Sequence, residues 1–287
     1  MKIGIVTAAG AHTPPEFLGR IGEIAEERGF HSLWVPEHVL FFREYASRYP
    51  YSDDGRIPGD PIGALEPFAA LGWVAAHTKR LRLGTGICLV PQRSPVYTAK
   101  QVADLDFLSG GRVDFGVGIG WLREEFEALG VPFERRAART REALAVMKTL
   151  WCDEVSQHAG EFYTLPECLQ NPKPVQVPHP PIHFGGESPG ALRRVAEIGQ
   201  GWYGFRMSPE EALVHIRELE RLLAEAGRSR SEIQVSVAPA TRHVDADARA
   251  RYADAGVDQL LVPLLAGNPD RFEALADEAA ALIEAEA

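Results

Sequence analysis

Cysteine is scarce in this 287-residue sequence: Cys88, Cys152 and Cys168 are the whole complement. An odd number with no CxxC spacing supports neither a disulfide framework nor a cysteine-based zinc site, and no metal is expected. Long apolar runs are missing as well. A membrane-spanning helix needs about 20 consecutive apolar residues, whereas Met1-Lys2 leads straight into a short strand-like segment with no leader pattern. Positive charge is in deficit, with 30 Lys and Arg against 40 Asp and Glu and a net charge of −10, which argues against nucleic acid or an anionic membrane as the main partner. The expectation is a soluble cytoplasmic protein acting on a small molecule. No HExxH, Walker A or Ser/His/Asp order is present, so hydrolase and kinase readings have no motif behind them.

What is present is apolar residues, 45% of the chain, enough for a large core at a length near the upper end for one domain. Strand-like runs fall at Lys2–Thr7, Ser32–Pro36, Leu81–Cys88, Val113–Gly118, Pro181–Phe184, Trp202–Phe205, Ile233–Val237 and Gln259–Val262. Helical patterns lie between them. Pro14-Pro15 opens a helix to Arg28 that buries Phe17, Ile21, Ile24 and Ala25. Others are expected over Ile62–His77, Tyr97–Leu108, Leu122–Leu129 and Glu134–Trp151, then from Gly190 to Ile198, Ser208 to Ala226, Ala246 to Ala255 and Pro269 to Ala285. A small hairpin is expected at Phe162–Leu165. Eightfold β-α alternation without a shift in composition predicts a single α/β domain over residues 1–287, a (β/α)8 TIM barrel. A doubly wound open sheet is the rival. It is disfavoured because no GxGxxG follows the first strand, and Gly116–Gly120 (GVGIG) has the wrong spacing and lies mid-chain.

Barrel chemistry sits at the C-terminal ends of the strands. The stretch from Leu81 to Trp121 holds two strands whose ends are rich in glycine: Gly84, Gly86, Gly116, Gly118 and Gly120. Glycine in a strand marks a bulge or a close approach by another group, and here suggests a flat ligand lying on bare backbone. Glu37-His38 follows the second strand. His38 is a candidate proton donor, and Glu37 could orient a ring or accept from a ligand N–H or O–H; alternatively both are solvated loop residues. Gly185-Gly186-Glu187-Ser188 precedes a helix and reads either as a phosphate seat or as a glycine turn with a serine cap. Trp34 and Cys88 read as core. Trp121 could wall a pocket, and Arg93 and Arg206 could hold an anionic tail or be ordinary surface residues. The loop Val39–Asp60, with Tyr45, Tyr49 and Tyr51, is long enough to be a substrate cover.

Taken together, SLWVPEH, RLRLGTGICLVPQRSPVYTAKQVADLDFLSGGRVDFGVGIGWLREEFEALG and PIHFGG resemble the luciferase-like oxidoreductase superfamily, and most of all its branch of coenzyme F420-dependent oxidoreductases. The resemblance covers nearly the whole chain. It implies a barrel with a deazaflavin at its C-terminal mouth and a non-prolyl cis peptide at Gly86–Ile87 behind the ring. It further implies ring contact and proton donation at Glu37-His38, and a phosphate loop at Gly185, Gly186, Glu187 and Ser188. Ile119, Gly120 and Glu124 would lie near the cofactor's side chain. Sugar-phosphate dehydrogenases of the superfamily carry a catalytic Glu where this chain has Trp121, which argues against glucose-6-phosphate as substrate. Hydride transfer between F420 and a small organic substrate is the resulting expectation. The alternatives are an FMN-dependent monooxygenase using reduced flavin and O2, or a barrel that binds cofactor without turnover. Homodimers are common in this superfamily, and Trp73 and Phe107 are placed to form such an interface.

Overall fold

A computed structural model of the chain describes residues 1–58, 63–241 and 243–284. Asp60, Ile62 and Ala285, each an expected element boundary, lie outside the described residues. In chain order the elements are β1 (Lys2–Val6), α1 (Pro15–Glu27), β2 (Ser32–Val35), α2 (Pro67–His77), β3 (Arg82–Thr85), β4 (Cys88–Leu89), α3 (Pro95–Ser109), β5 (Val113–Gly118), α4 (Arg123–Ala128) and α5 (Arg136–Cys152). There follow β6 (Ser156–Ala159), β7 (Thr164–Cys168), β8 (Ile182–Gly185), α6 (Pro189–Ile198), β9 (Gly201–Met207), α7 (Pro209–Glu225), β10 (Gln234–Pro239), α8 (Ala246–Asp254), β11 (Gln259–Pro263) and α9 (Pro269–Glu284).

β1 pairs in parallel with β2 and β11, and the order continues β3, β5, β8, β9 and β10 around to β11. β4 is the continuation of β3 past a break, and it also pairs with β5. The result is a closed eight-strand parallel barrel ringed by helices, a TIM barrel with a long loop after β2. β6 and β7 form the expected hairpin as an antiparallel pair outside the barrel, with longer strands than Phe162–Leu165 alone indicates.

Alternation along each strand splits the core in two. Ile3, Ile5, Leu33, Val35, Leu260 and Val262 point outward into the large cluster under the helices. Val6, Trp34, Tyr203, Ala238 and Leu261 point inward and form one layer across the barrel axis, with Ile87 and Phe205 partly buried against it. Trp34 is fully buried, as expected, and truncating a side chain of that size typically costs about 3–5 kcal/mol. Beneath it lies a polar layer in which Trp34 Nε1 donates to Ser32 Oγ (2.9 Å), Gln259 Nε2 donates to the same oxygen, and Gln234 Nε2 donates to Gln259 Oε1 (2.8 Å).

The expected elements differ mainly at their starts. α2 begins at Pro67, not Ile62, because Glu66 caps it by accepting from Ala69 N (2.8 Å) and Pro67 suits the first helical position. α3 likewise begins at Pro95, two residues before Tyr97. Trp73 on α2 and Phe107 on α3 are 45% and 54% exposed. No helix among the described residues is long and apolar enough to cross a membrane.

Candidate active site

The third strand is where the expected geometry is most specific. Leu81–Cys88 is not continuous: β3 ends at Thr85, the Gly86–Ile87 peptide is cis, and β4 resumes at Cys88. The glycines around this break have occupants already. A Cβ at Gly84 would strike the Trp34 indole, and one at Gly116 would strike the Thr85 carbonyl oxygen. At Gly118 and Gly185 it would strike the Ile87 side chain, which lies between the tips of β5 and β8. The idea of a ligand on bare glycine backbone is therefore corrected. The strand tips are stripped so that the protein's own Trp34 and Ile87 can pack, and the half-exposed surface offered at the mouth is Gly86 and Ile87.

Glu37 and His38 leave β2 in different directions. Glu37 is 4% exposed; its carboxylate accepts from Leu89 N (2.5 Å) and Arg93 Nε (2.8 Å), and Arg93 also pairs with Glu66 and lies over the Phe68 ring. Those bonds brace the chain just after the break. Arg93 is half-buried and tied into the fold rather than a free surface arginine. Burial, then the charge of Glu37, push the neighbouring Cys88 thiol well up, which fits a core role rather than a nucleophile.

His38 stays partly exposed, and its Nδ1 lies 3.0 Å from Oε2 of Glu125. Glu125 is fully buried near the start of α4 and its contact with His38 spans 87 positions of sequence, which is why no local motif announces it. Glu125 Oε2 also accepts from Gln92 Nε2 (2.9 Å), and Oε1 accepts from Val39 N (2.7 Å) and Leu40 N (3.1 Å). Burial alone would raise its pKa, but the bonds from His38, Gln92 and Leu40 outweigh burial and hold the carboxyl below its usual range. Among the described residues His38 Nε2 has no hydrogen-bond partner.

The loop after β2 packs across this mouth. Ala46 N (2.5 Å) and Ser47 N (3.1 Å) donate to Glu124, and Arg123 N donates to Ser47 Oγ (3.0 Å). Burial opposes ionisation of Glu124, but bonds from Ser47 and the nearby amides bring its pKa down to about 2. Glu124 thus anchors the loop. Trp121 meets His38, Tyr45 and Tyr49 edge to face at 5.8, 5.9 and 5.3 Å between ring centres. Tyr51 continues the wall to Phe205 at 4.9 Å, and Arg206 Nη1 donates to the Tyr51 carbonyl (2.7 Å).

The β8 tip matches a helix cap better than a ready phosphate seat. Ser188 Oγ accepts from Ala191 N (3.2 Å), and Gly186, at φ +101°, turns its carbonyl to Trp202 Nε1 (3.0 Å). Glu187 accepts from the Tyr51 hydroxyl (3.1 Å) and Phe205 N (3.1 Å), and burial raises its pKa. Positive charge comes from arginines the sequence does not flag. Arg136 donates from Nε to Gly120 O (3.0 Å) at the β5 tip, beside half-buried Ile119. Arg194 is 6% exposed on α6, and among the described residues its Nε has no hydrogen-bond partner. Burial, then Arg141 and Arg136, lower its pKa, partly offset by Glu197, which pairs with Arg141. Among the described residues there is no His, Cys, Asp and Glu cluster that could hold a metal.

Comparison with known proteins agrees with this architecture. The luciferase-like monooxygenase family profile matches residues 1–285. An uncharacterized protein from Mycobacterium tuberculosis is 36% identical over 264 residues, covering 91% of this chain and 89% of its own. An F420-dependent glucose-6-phosphate dehydrogenase from Kineococcus radiotolerans is 30% identical over 246 residues, covering 83% of this chain and 66% of its own. In fold, the crystal structure of monooxygenase RslO1 from Streptomyces bottropensis superposes with a TM-score of 0.79 at 22% identity, covering 100% of both chains.

Proposed function

Since the chain belongs to the luciferase-like monooxygenase family, we propose that it is an oxidoreductase moving a hydride between coenzyme F420 and a small organic substrate, with His38 handling the proton. The observation that carries this reading is the juxtaposition at the mouth. Gly86 and Ile87 present a half-exposed shelf on the strand next to the one that delivers His38, and Gly86 N donates to Val35 O (2.6 Å) across the two tips. The residues present fit a flat anionic cofactor: an apolar shelf, an aromatic wall and an arginine group with an unpartnered buried Nε. Ile87 would support the ring, and Arg136 and Arg194 would hold the anionic arm, with Gly185, Gly186 and Ile119 between them. When bound, such a cofactor supplies the hydride donor or acceptor.

The protein's own task is then to place and protect. His38 Nε2 takes the hydroxyl proton as a substrate C–H gives up its hydride, or returns it in the reverse direction. Tyr45, Tyr49 and Tyr51 would shut water out by keeping the loop after β2 over the mouth, which is the substrate-cover role. Trp121 leaves no second carboxylate at the position that the sugar-phosphate enzymes use, so one histidine serves as both acid and base.

Anaerobic titration with F420 and, separately, FMN tests the cofactor, read by absorbance and fluorescence. F420 is expected to bind saturably and to be reduced or oxidised with a panel of small alcohols and carbonyl compounds, with FMN binding much more weakly. Tighter binding of FMN, with reduced FMN consuming oxygen and yielding a hydroxylated product, would overturn the proposal in favour of a flavin monooxygenase.

A further inference from the structure

We infer that Glu125 is a positioning residue for His38, fixing the imidazole as its Nδ1–H form so that Nε2 stands bare as the proton acceptor in the reaction proposed above. The inference rests on that reading for its purpose but not for its evidence. An ionised carboxylate only accepts. All the groups facing Glu125 are therefore donors: Val39 N and Leu40 N on Oε1, Gln92 Nε2 and His38 Nδ1 on Oε2. Nδ1 must then carry the hydrogen, and a neutral ring has none left for Nε2. The arrangement does for His38 what the buried acid of a catalytic triad does for its histidine, setting tautomer and orientation without taking the proton. Glu37, beside His38 in sequence, is committed to Arg93 and Leu89 and cannot serve this role.

A purely structural reading is that Glu125 merely ties down Val39 and Leu40. Glu125→Gln separates the two. The new amide oxygen can keep both backbone donors, so the loop stays pinned. Its NH2 then faces Nδ1 and forces that nitrogen to accept, driving the hydrogen to Nε2. The second amide hydrogen has an acceptor available, because Gln92 Oε1 is buried without a partner among the described residues and a flip of that amide presents it. The variant is thus expected to fold.

The readout is the 15N shift pair of the His38 ring at about pH 9, where histidines are neutral, on the protein without cofactor and with His38→Asn for assignment. Wild type should show Nδ1–H and Glu125→Gln should show Nε2–H, while Glu125→Asp, which keeps the carboxylate, restores Nδ1–H. With F420 and a turned-over substrate, Glu125→Gln should lose about 100-fold in kcat, the scale of a general acid–base contribution, with little change in KM. An Nε2–H ring in wild type, or an unchanged tautomer in Glu125→Gln, overturns the inference. Should Glu125→Gln fail to fold, the wild-type tautomer decides alone. If F420 does not bind, the functional proposal falls while the tautomer result still stands or fails by itself.

Discussion

Two carboxylate–imidazole pairs at opposite ends of the barrel look alike on paper. At the floor, Asp114 lies 3.6 Å from His183 Nε2, and both side chains are almost fully buried. That separation is longer than a hydrogen bond, and Asp114 is already matched by Arg82, whose Nε (2.8 Å) and Nη2 (2.6 Å) bridge both its oxygens. The His183 ring fills the space left by Gly201 and meets Trp34 edge to face at 5.4 Å. At the mouth, among the described residues, the salt-bridge partner of Glu125 is His38, which keeps 16% of its side chain open. An acid beside a histidine therefore says little by itself. What separates a packed pair from a working one is an accessible second nitrogen and an acid left free to dictate the first.

Disabling the mouth should have the largest effect. His38→Asn should lower F420-dependent turnover by about 100-fold or more, the usual scale of a general acid–base group, while F420 affinity stays within about twofold. Unchanged turnover removes His38 from the chemistry and makes the two pairs equivalent. The floor should fail in the opposite way. Asp114→Asn leaves Arg82 without its anion, and the cost in unfolding free energy should be about 3 kcal/mol. That is the lower end for breaking a buried pair, because Arg82 is 24% exposed and keeps bonds to Val113 O and Gln176. Turnover per folded molecule should hardly move.

The floor also has a pH signature. Burial works against the Asp114 charge, but His183 and Arg82 outweigh it and hold the carboxyl well below the usual carboxylate range. A folded-state pKa below the unfolded value of about 3.9 means stability that is complete above that pH and drains away as pH falls through the folded value. Wild type should lose melting temperature on acidification below about pH 4 more steeply than Asp114→Asn, since the variant lacks this group. Equal slopes would show that the pair contributes nothing to acid stability.

Much of this was legible from residue order. Short apolar runs such as Leu33-Trp34-Val35 between helical patterns mark the barrel strands, and the tips of those strands mark the mouth. The cis linkage falls at Gly86–Ile87, where the resemblance put it. What residue order hides is which group fills which space. The missing side chains at Gly118 and Gly185 make room for Ile87 rather than for a ligand, and only the folded register brings the three together. Adjacency likewise draws Glu37 into the site beside His38, although successive residues at a strand end point to opposite sides. The acid that reaches the ring comes from α4, and the arginines proposed for the anionic arm come from α5 and α6.

The decisive measurement is a structure determined with F420 bound. The ring is expected against Ile87, within a substrate's width of His38 Nε2, with the anionic arm on Arg136 and Arg194. A ring seated elsewhere, such as the 420 Å³ cavity between Pro91–Val96 and the β6–β7 hairpin, with His38 untouched, would contradict it.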